Sequence, residues 1–410
     1  VIILLQVLQT IPFSNSTEPK REMTWLQVLS HLSPHFGGIA ISVPELARAT
    51  EAHGAYDCRI AAFCSGKELM DLPIVQRKNA ETFPSTRWRW LTDVRLRSRL
   101  KDTIRGASGV HIHGIWEPHC HMTSWAARAH KRPYVISAHG MLDEWALRHK
   151  PVKKALYATL IETGNLQRAA CLRALSADEV NDYRRLGLTN PIAIVPGGIE
   201  TDRLSSPILF GETYPHLMGR RIVLFMGRLH AKKGLYLLLE AWAAVSRSAD
   251  DLHLVIAGPD SDSTLASLQR MVDELNLRQS VTFAGMLTGD HKWSALAAAS
   301  LFVLPSYSEG FSIAVLEALA SALPVLVTVP CHIPEVAKHE CGWVIEPTLE
   351  SLKRTLDEFA GLSECDARRM GENGRKLVRR RFDWSVVGRQ MAQVYDWLQG
   401  GSKPSTVEIV

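Results

Sequence analysis

Short runs of β-branched and apolar residues alternate along the chain with longer stretches whose apolar positions recur at three- and four-residue spacing. The runs predict strands at Met23–Ser30, Asp57–Ser65, Gly109–Gly114, Pro133–Gly140, Ala170–Ser176 and Pro191–Pro196. After a break they resume at Arg221–Gly227, Leu252–Gly258, Val281–Met286, Leu301–Pro305, Pro324–Thr328 and Gly342–Glu346. Most are apolar at successive rather than alternate positions, the pattern of parallel strands covered by helices on both faces. Helical periodicity fills the gaps, for example at Gly234–Ser248, Leu265–Leu275 and Phe311–Ala322. Two such series predict an α/β chain with two doubly wound, Rossmann-like domains.

The break between the series, Glu200 to Gly219, is rich in Pro, Gly and Ser and has no period. It sets the expected domains at residues 23–205 and 206–384. A final helix, residues 385–400, carries a stripe of Val387, Met391, Val394 and Leu398 and is expected to pack back on the first domain, with 401–410 as a tail. The apolar run from Val1 to Phe13 lacks the basic flank of a signal peptide and the length of a bilayer-spanning helix, so residues 1–22 are read as a poorly defined extension.

Composition narrows the class. Of 410 residues, 46% are hydrophobic and 22% charged, which suits two soluble cores and excludes a disordered, collagen-like or polytopic membrane chain. The net charge of +5 allows an anionic ligand or an anionic membrane surface and does not call for nucleic acid. Seven scattered cysteines without a CxxC pair suit a reducing, cytoplasmic setting.

Ligands of doubly wound sheets bind beyond the carboxyl ends of the strands, so the residues just after each strand matter most. After the first strand stand Gly37 and Gly38, where backbone N–H groups can approach an anion at a helix start. After Arg221–Gly227 comes Arg228-Leu229-His230-Ala231-Lys232-Lys233-Gly234, a set of cations placed to grip a diphosphate. After Leu301–Pro305 comes Ser306-Tyr307-Ser308-Glu309-Gly310-Phe311-Ser312 and an apolar helix interrupted by Glu317. A carboxylate in an apolar helix needs a partner, and sugar hydroxyls are suitable ones.

Glu309 and Glu317 make an E-x7-E pattern. With the Gly-Gly loop and the Gly-Arg-x4-Lys-Gly segment in the same order, the chain from Met23 onward resembles glycosyltransferase family 4, the group 1 retaining glycosyltransferases of GT-B fold. His139-Gly140-Met141-Leu142-Asp143, Gly285-Met286-Leu287 and Lys292-Trp293 resemble a branch associated with bacterial surface polysaccharides such as lipopolysaccharide and exopolysaccharide. The resemblance implies two domains facing a central cleft. It also implies a UDP- or GDP-type sugar donor, a glycan acceptor that is lipid-linked, and no required cofactor. Arg228 and Lys233 would then neutralise the leaving diphosphate, and Glu317 would bind the ribose. Glu309 and the N–H groups of Gly310, Phe311 and Ser312 would hold sugar and phosphate. His139 would stand beside the transferred sugar, Gly37 and Gly38 near the phosphate, and the Met286 backbone near the base. One departure is visible: Val195-Pro196-Gly197-Gly198 stands where many members carry Pro-Asn-Gly.

Other signals are weaker. Asp260-Ser261-Asp262 is a DxD at a strand end, read as a solvated loop without a metal role. His111, His113, His119, Cys120 and His121 lack a zinc spacing and are read as a loop lining the acceptor side. A basic stretch from Arg87-Trp88-Arg89-Trp90 to Arg105, and Trp145 with Lys150, Lys153 and Lys154, suit peripheral contact with an anionic membrane on its cytoplasmic face, or equally a solvated surface. No G-x-G-x-x-G, Walker A, HExxH or G-x-S-x-G sequence occurs, which argues against dehydrogenases, P-loop NTPases, zincins and α/β-hydrolases. A nucleotide-sugar epimerase of the same fold and a non-catalytic nucleotide-sugar-binding protein are the alternative readings. A glycosidic product separates transfer from both.

Overall fold

A computed structural model describes residues 23–33, 36–54, 56–72, 79–84, 93–143, 162–203, 206–247, 249, 251–260 and 263–409. The expectations for residues 1–22, Arg87 to Trp90, Trp145 and Lys150 to Lys154 lie outside the described residues.

The first sheet comprises β1 (Met23–Leu29), β2 (Tyr56–Ala62), β3 (Ala80–Thr82), β4 (Gly109–His113), β5 (Tyr134–Ser137), β6 (Cys171–Ala174), β7 (Ile192–Ile194) and β14 (Val407–Glu408), in the order β14-β7-β6-β5-β4-β1-β2-β3. The second comprises β8 (Arg221–Met226), β9 (Leu252–Ala257), β10 (Val281–Gly285), β11 (Ala299–Leu304), β12 (Val325–Thr328) and β13 (Gly342–Ile345), in the order β10-β9-β8-β11-β12-β13. Pairing is parallel throughout except between β14 and β7.

Every strand expected from the apolar runs is present. The reason is visible in the burial: β4, β5, β6 and β9 are buried at every position, as strands covered on both faces must be. β3 and β14 were not expected. Neither is an apolar run, β3 being Ala-Glu-Thr and β14 two residues, and β14 turns the end of the chain, read as a tail, into an edge strand of the first sheet.

Three helices begin directly after the motif segments: α1 (Gly38–Glu51), α2 (Leu235–Val245) and α3 (Ile313–Ala320). A fourth, α4 (Trp384–Leu398), follows the second domain. Strand order reverses between β4 and β1 in one sheet and between β8 and β11 in the other. Such switch points open a crevice at the strands' carboxyl ends. The Gly37-Gly38 turn follows β1, the Arg228 to Lys233 segment follows β8, and the Glu309 loop follows β11. Each motif therefore stands at a crevice mouth because of strand order alone.

The second sheet and its helices enclose one large apolar cluster, and the first sheet encloses another. A separate cluster joins the first sheet to α4, through Trp25, Leu46, Val387, Met391, Val394 and Tyr395. Gly388 lets α4 lie directly on α1, since a Cβ there would fall 2.3 Å from the Ala49 carbonyl oxygen. The apolar stripe of α4 thus faces the first sheet, with Leu398 at its partly buried end.

Candidate functional site

The second domain contributes two carboxylates, each gripped by a lysine. Glu309 is buried in the loop after β11, where its Oε1 accepts from Lys233 Nζ at 2.6 Å and from Ser306 Oγ at 2.5 Å. Glu317 is buried on α3, and its Oε1 accepts from Lys292 Nζ at 2.6 Å. In both, Oε2 makes no hydrogen bond among the described residues. Each carboxylate is thereby aimed, with one oxygen held and one available. The partner that desolvation demands of Glu317 is a lysine, a pairing the apolar helix pattern alone does not reveal.

Local backbone sets this up. A short turn, Ala231–Lys233, ends at Gly234, whose φ of 68° starts α2. A Cβ at Gly234 would sit 2.0 Å from the Pro305 carbonyl oxygen, so the cationic loop can meet the β11 loop only with glycine here. The Tyr307 amide then donates to the Lys232 carbonyl at 2.8 Å, tying the two loops together. Arg228 is exposed and forms no ion pair among the described residues. Lys232, half-buried beside them, has its pKa lowered by burial, partly offset by Glu309 and Asp143. The chain entering α3 through Gly310, Phe311 and Ser312 leaves those amides without a backbone acceptor among the described residues. Free amides and the helix dipole make this end of α3 favourable to an anion. Met286 is exposed just past β10, beside Gly285 at φ 66°.

The first domain carries its own motif residues after its strands. Gly37, at φ 111°, precedes α1, and a Cβ on Gly37 or Gly38 would have nothing within 4 Å. His139 follows β5 at φ 54°, a conformation uncommon outside glycine, and its Nε2 lies 3.1 Å from His113 Nδ1. Burial, with the buried Arg173 guanidinium nearby, holds the His139 imidazole neutral, its pKa pushed down to about 3.

The domains meet at glycines. A Cβ on Gly310 would fall 2.3 Å from the His139 carbonyl oxygen, and one on Gly140 would fall 2.3 Å from the Gly310 Cα. Gly140 itself is anchored from behind, its amide donating to buried Glu179 at 2.7 Å. Ser308 donates to Asp143, and His332 Nδ1 lies 2.8 Å from Asp178, both between domains. The Pro-Gly-Gly departure also acquires a reason: a Cβ on Gly197 would fall 2.8 Å from the Phe311 ring. Gly197→Asn is accordingly expected to displace Phe311 and cost about 1–3 kcal/mol of stability, as overpacking does, measured by urea unfolding. An unchanged unfolding midpoint would contradict that close packing.

The structure therefore brings Arg228, Lys233, Glu309, Gly310, Phe311, Ser312 and Glu317 to one crevice mouth, with His139 and Gly140 packed against it. Lys292, Ser306 and Asp143, members of the motif segments with no expected role of their own, join the site through the partners they hold: Glu317, Glu309 and Ser308. His119 and His121 lie at the start of a helix, Pro118–Ala129, rather than on the expected loop. His119 stacks on Phe63 while His121 pairs with Asn165. Among the described residues no group of three or more His, Cys, Asp or Glu is placed to hold a metal ion. Asp260 accepts from the Thr264 amide at 2.8 Å.

Comparison with known proteins identifies the family and the fold. The family model described as glycosyl transferases group 1 matches residues 212–377, and that described as glycosyltransferase family 4 matches residues 36–203. A GDP-mannose:cellobiosyl-diphosphopolyprenol alpha-mannosyltransferase of Xanthomonas campestris is 24% identical, over 95% of this chain and 100% of its own. A phosphatidyl-myo-inositol mannosyltransferase of Mycobacterium leprae is 29% identical over 72% of this chain and 75% of its own. In fold the chain is similar to Anabaena HepE, crystallised with UDP and glucose, at a TM-score of 0.75 and 16% identity, covering 92% of this chain and 100% of that one.

Proposed function

Because the chain belongs to the group 1 glycosyltransferases with the GT-B fold, we propose that it moves a sugar, with retention of configuration, from a nucleoside diphosphate sugar to a lipid-linked glycan in surface-polysaccharide assembly. The observation that carries the reading is the paired arrangement of Lys233 with Glu309 and Lys292 with Glu317 at the amino end of α3. It offers cations and free amides for a diphosphate, flanked by two carboxylate oxygens for hydroxyls. The names of the Xanthomonas and Mycobacterium relatives, whose acceptors are lipids or lipid-linked, support the acceptor class.

In this reading the diphosphate lies against Arg228, Lys233 and the α3 amides. Glu317 Oε2 accepts from ribose hydroxyls and Glu309 Oε2 from the transferred sugar. As the bond from the sugar carbon to the diphosphate oxygen breaks, negative charge grows on that oxygen. Cations and amides already in place stabilise it without reorganising. The acceptor hydroxyl forms the new bond from the face the diphosphate leaves, and a phosphate oxygen takes its proton. No side chain needs to serve as base. Contact between the domains excludes water, which would otherwise hydrolyse the donor.

The test is a transfer assay pairing UDP- and GDP-sugars with polyprenyl-diphosphate oligosaccharides, the product's anomeric configuration being read by NMR. A glycosidic product with the donor's configuration is expected. An inverted product would remove the retaining mechanism, and an epimerised nucleotide sugar without transfer would favour the epimerase.

A membrane-facing surface fits the acceptor class. The helix Val94–Gly106 buries Leu96, Leu100 and Ile104 and turns Val94 and Arg95 outward, and Lys101 lies 4.5 Å from the centre of the exposed Trp125 ring. Among the described residues no helix is long and apolar enough to cross a membrane. The double substitution Arg97→Glu, Lys101→Glu is expected to weaken sedimentation with anionic vesicles and leave nucleotide affinity unchanged. Undiminished sedimentation would remove this surface from the account.

A further inference from the structure

A chain of buried polar side chains runs from α4 to His139. Gln27 Nε2 donates to Tyr395 Oη at 2.9 Å, and His113 Nε2 lies 2.9 Å from Gln27 Oε1. His113 Nδ1 lies 3.1 Å from His139 Nε2. On its other side Tyr395 Oη lies 2.7 Å from His111 Nδ1, and His111 Nε2 lies 2.8 Å from Ser137 Oγ. Gln27, His111, His113, Ser137 and Tyr395 are all fully or almost fully buried. Tyr395 is held flat against Trp25, ring centroids 3.7 Å apart and planes 7° apart.

Counting protons from Gln27 to His139 leaves one arrangement for this amide orientation. Tyr395 accepts from Gln27 and keeps its own proton to offer to His111 Nδ1, but the order toward His139 follows from Gln27 alone. Gln27 Oε1 can only accept, so His113 carries its proton on Nε2 and presents a bare Nδ1. A bare Nδ1 can only accept from His139 Nε2–H. A neutral His139 with Nε2 protonated has a lone pair on Nδ1, and Nδ1 makes no hydrogen bond among the described residues. Burial keeps both His111 and His113 neutral, so no imidazolium breaks the order.

We infer that Gln27, His113 and Tyr395 are positioning residues that set the tautomer of His139, so that its Nδ1 meets the substrate as a hydrogen-bond acceptor. The inference rests on the proposed reading, in which His139 borders the transferred sugar. A sugar hydroxyl facing His139 must then donate to it. The proton order also reaches α4, the helix that follows the second domain and packs on the first, so the seating of α4 bears on a group in the cleft. In the reverse order, with the Gln27 amide turned over, every bond flips and His139 would present a donor instead.

The test is NMR of the full chain, deuterated and labelled with 15N-histidine, in which protonated and bare ring nitrogens resonate apart. The His139 signals are assigned by their loss in His139→Asn. In the wild-type protein His139 is expected as a single tautomer with Nε2 protonated. Tyr395→Phe keeps the stack on Trp25 and removes only the hydroxyl, and it is expected to give mixed His139 tautomers. With a donor in hand, kcat should fall about tenfold, the worth of one misdirected hydrogen bond, with KM changed less than about twofold. His113→Phe should act alike. Nδ1 protonation in the wild type, or a His139 spectrum unchanged in both variants, would overturn the inference. The spectra are recorded without substrate. A wrong tautomer therefore fails this inference alone, whereas the expected tautomer in a protein that transfers nothing fails the functional reading.

Discussion

Lys233→Ala is expected to lower kcat/KM by at least about 10²-fold, the scale of losing one stabiliser of transition-state charge. Two losses combine in this variant. In the proposed reading the ammonium that faces the departing diphosphate is gone, and Glu309 keeps only Ser306 to aim its carboxylate. Lys233→Arg separates them by keeping the charge while changing its geometry, and an intermediate rate is expected. Initial rates over a range of donor concentrations check both. The thermal unfolding midpoint should move little, because Lys233 lies in a partly exposed loop outside the apolar cluster of its domain. Full turnover in Lys233→Ala would sink the placement of the diphosphate.

Gly310→Ala should be nearly as damaging, for a different reason. Its added methyl would meet the His139 carbonyl oxygen at 2.3 Å and the Gly140 nitrogen at 3.2 Å. Both are main-chain atoms. Gly140 is anchored by Glu179 and His139 by His113, so neither can step aside cheaply. The domains must part instead, by about an ångström, a misplacement that can cost about 10²-fold in rate. In the proposed reading most nucleotide contacts come from the second domain, so nucleotide binding should persist. The expected signature is therefore near-normal nucleotide affinity with turnover largely lost, read by calorimetry and rate measurements on one preparation. Unimpaired turnover would show that this close approach of the domains is not needed.

The fold was legible because its signal is local. A strand covered on both faces must be apolar at successive positions, and β8, β9 and β11 are written that way. Two-residue β14 and β3, whose Ala-Glu-Thr is no apolar run, carry no such signal, and only their neighbours define them. The site was legible in its residue types and positions after strands. Its pairings were not. Lys233 and Glu309 are 76 residues apart and Lys292 and Glu317 are 25 apart, and no periodicity connects them. The polar chain behind His139 is further still from local reading. Gln27 and Tyr395 are separated by 368 residues and meet only because α4 returns to the first sheet. Histidines 111 and 113, read with their neighbours as a loop lining the acceptor side, instead lie buried on β4 and serve a hydrogen-bond chain. The departure at Gly197 has its reason in Phe311, distant along the chain, whose ring leaves no room for a side chain there.

The most direct test of the central claim is calorimetric titration of UDP, GDP and ADP into the wild-type chain and into Glu317→Ala. Selective binding of UDP or GDP is expected, weakened about tenfold or more in Glu317→Ala if its carboxylate takes the ribose hydroxyls as proposed. No binding of any nucleotide at millimolar concentration by a folded protein would contradict it, as would equal affinity in the two proteins.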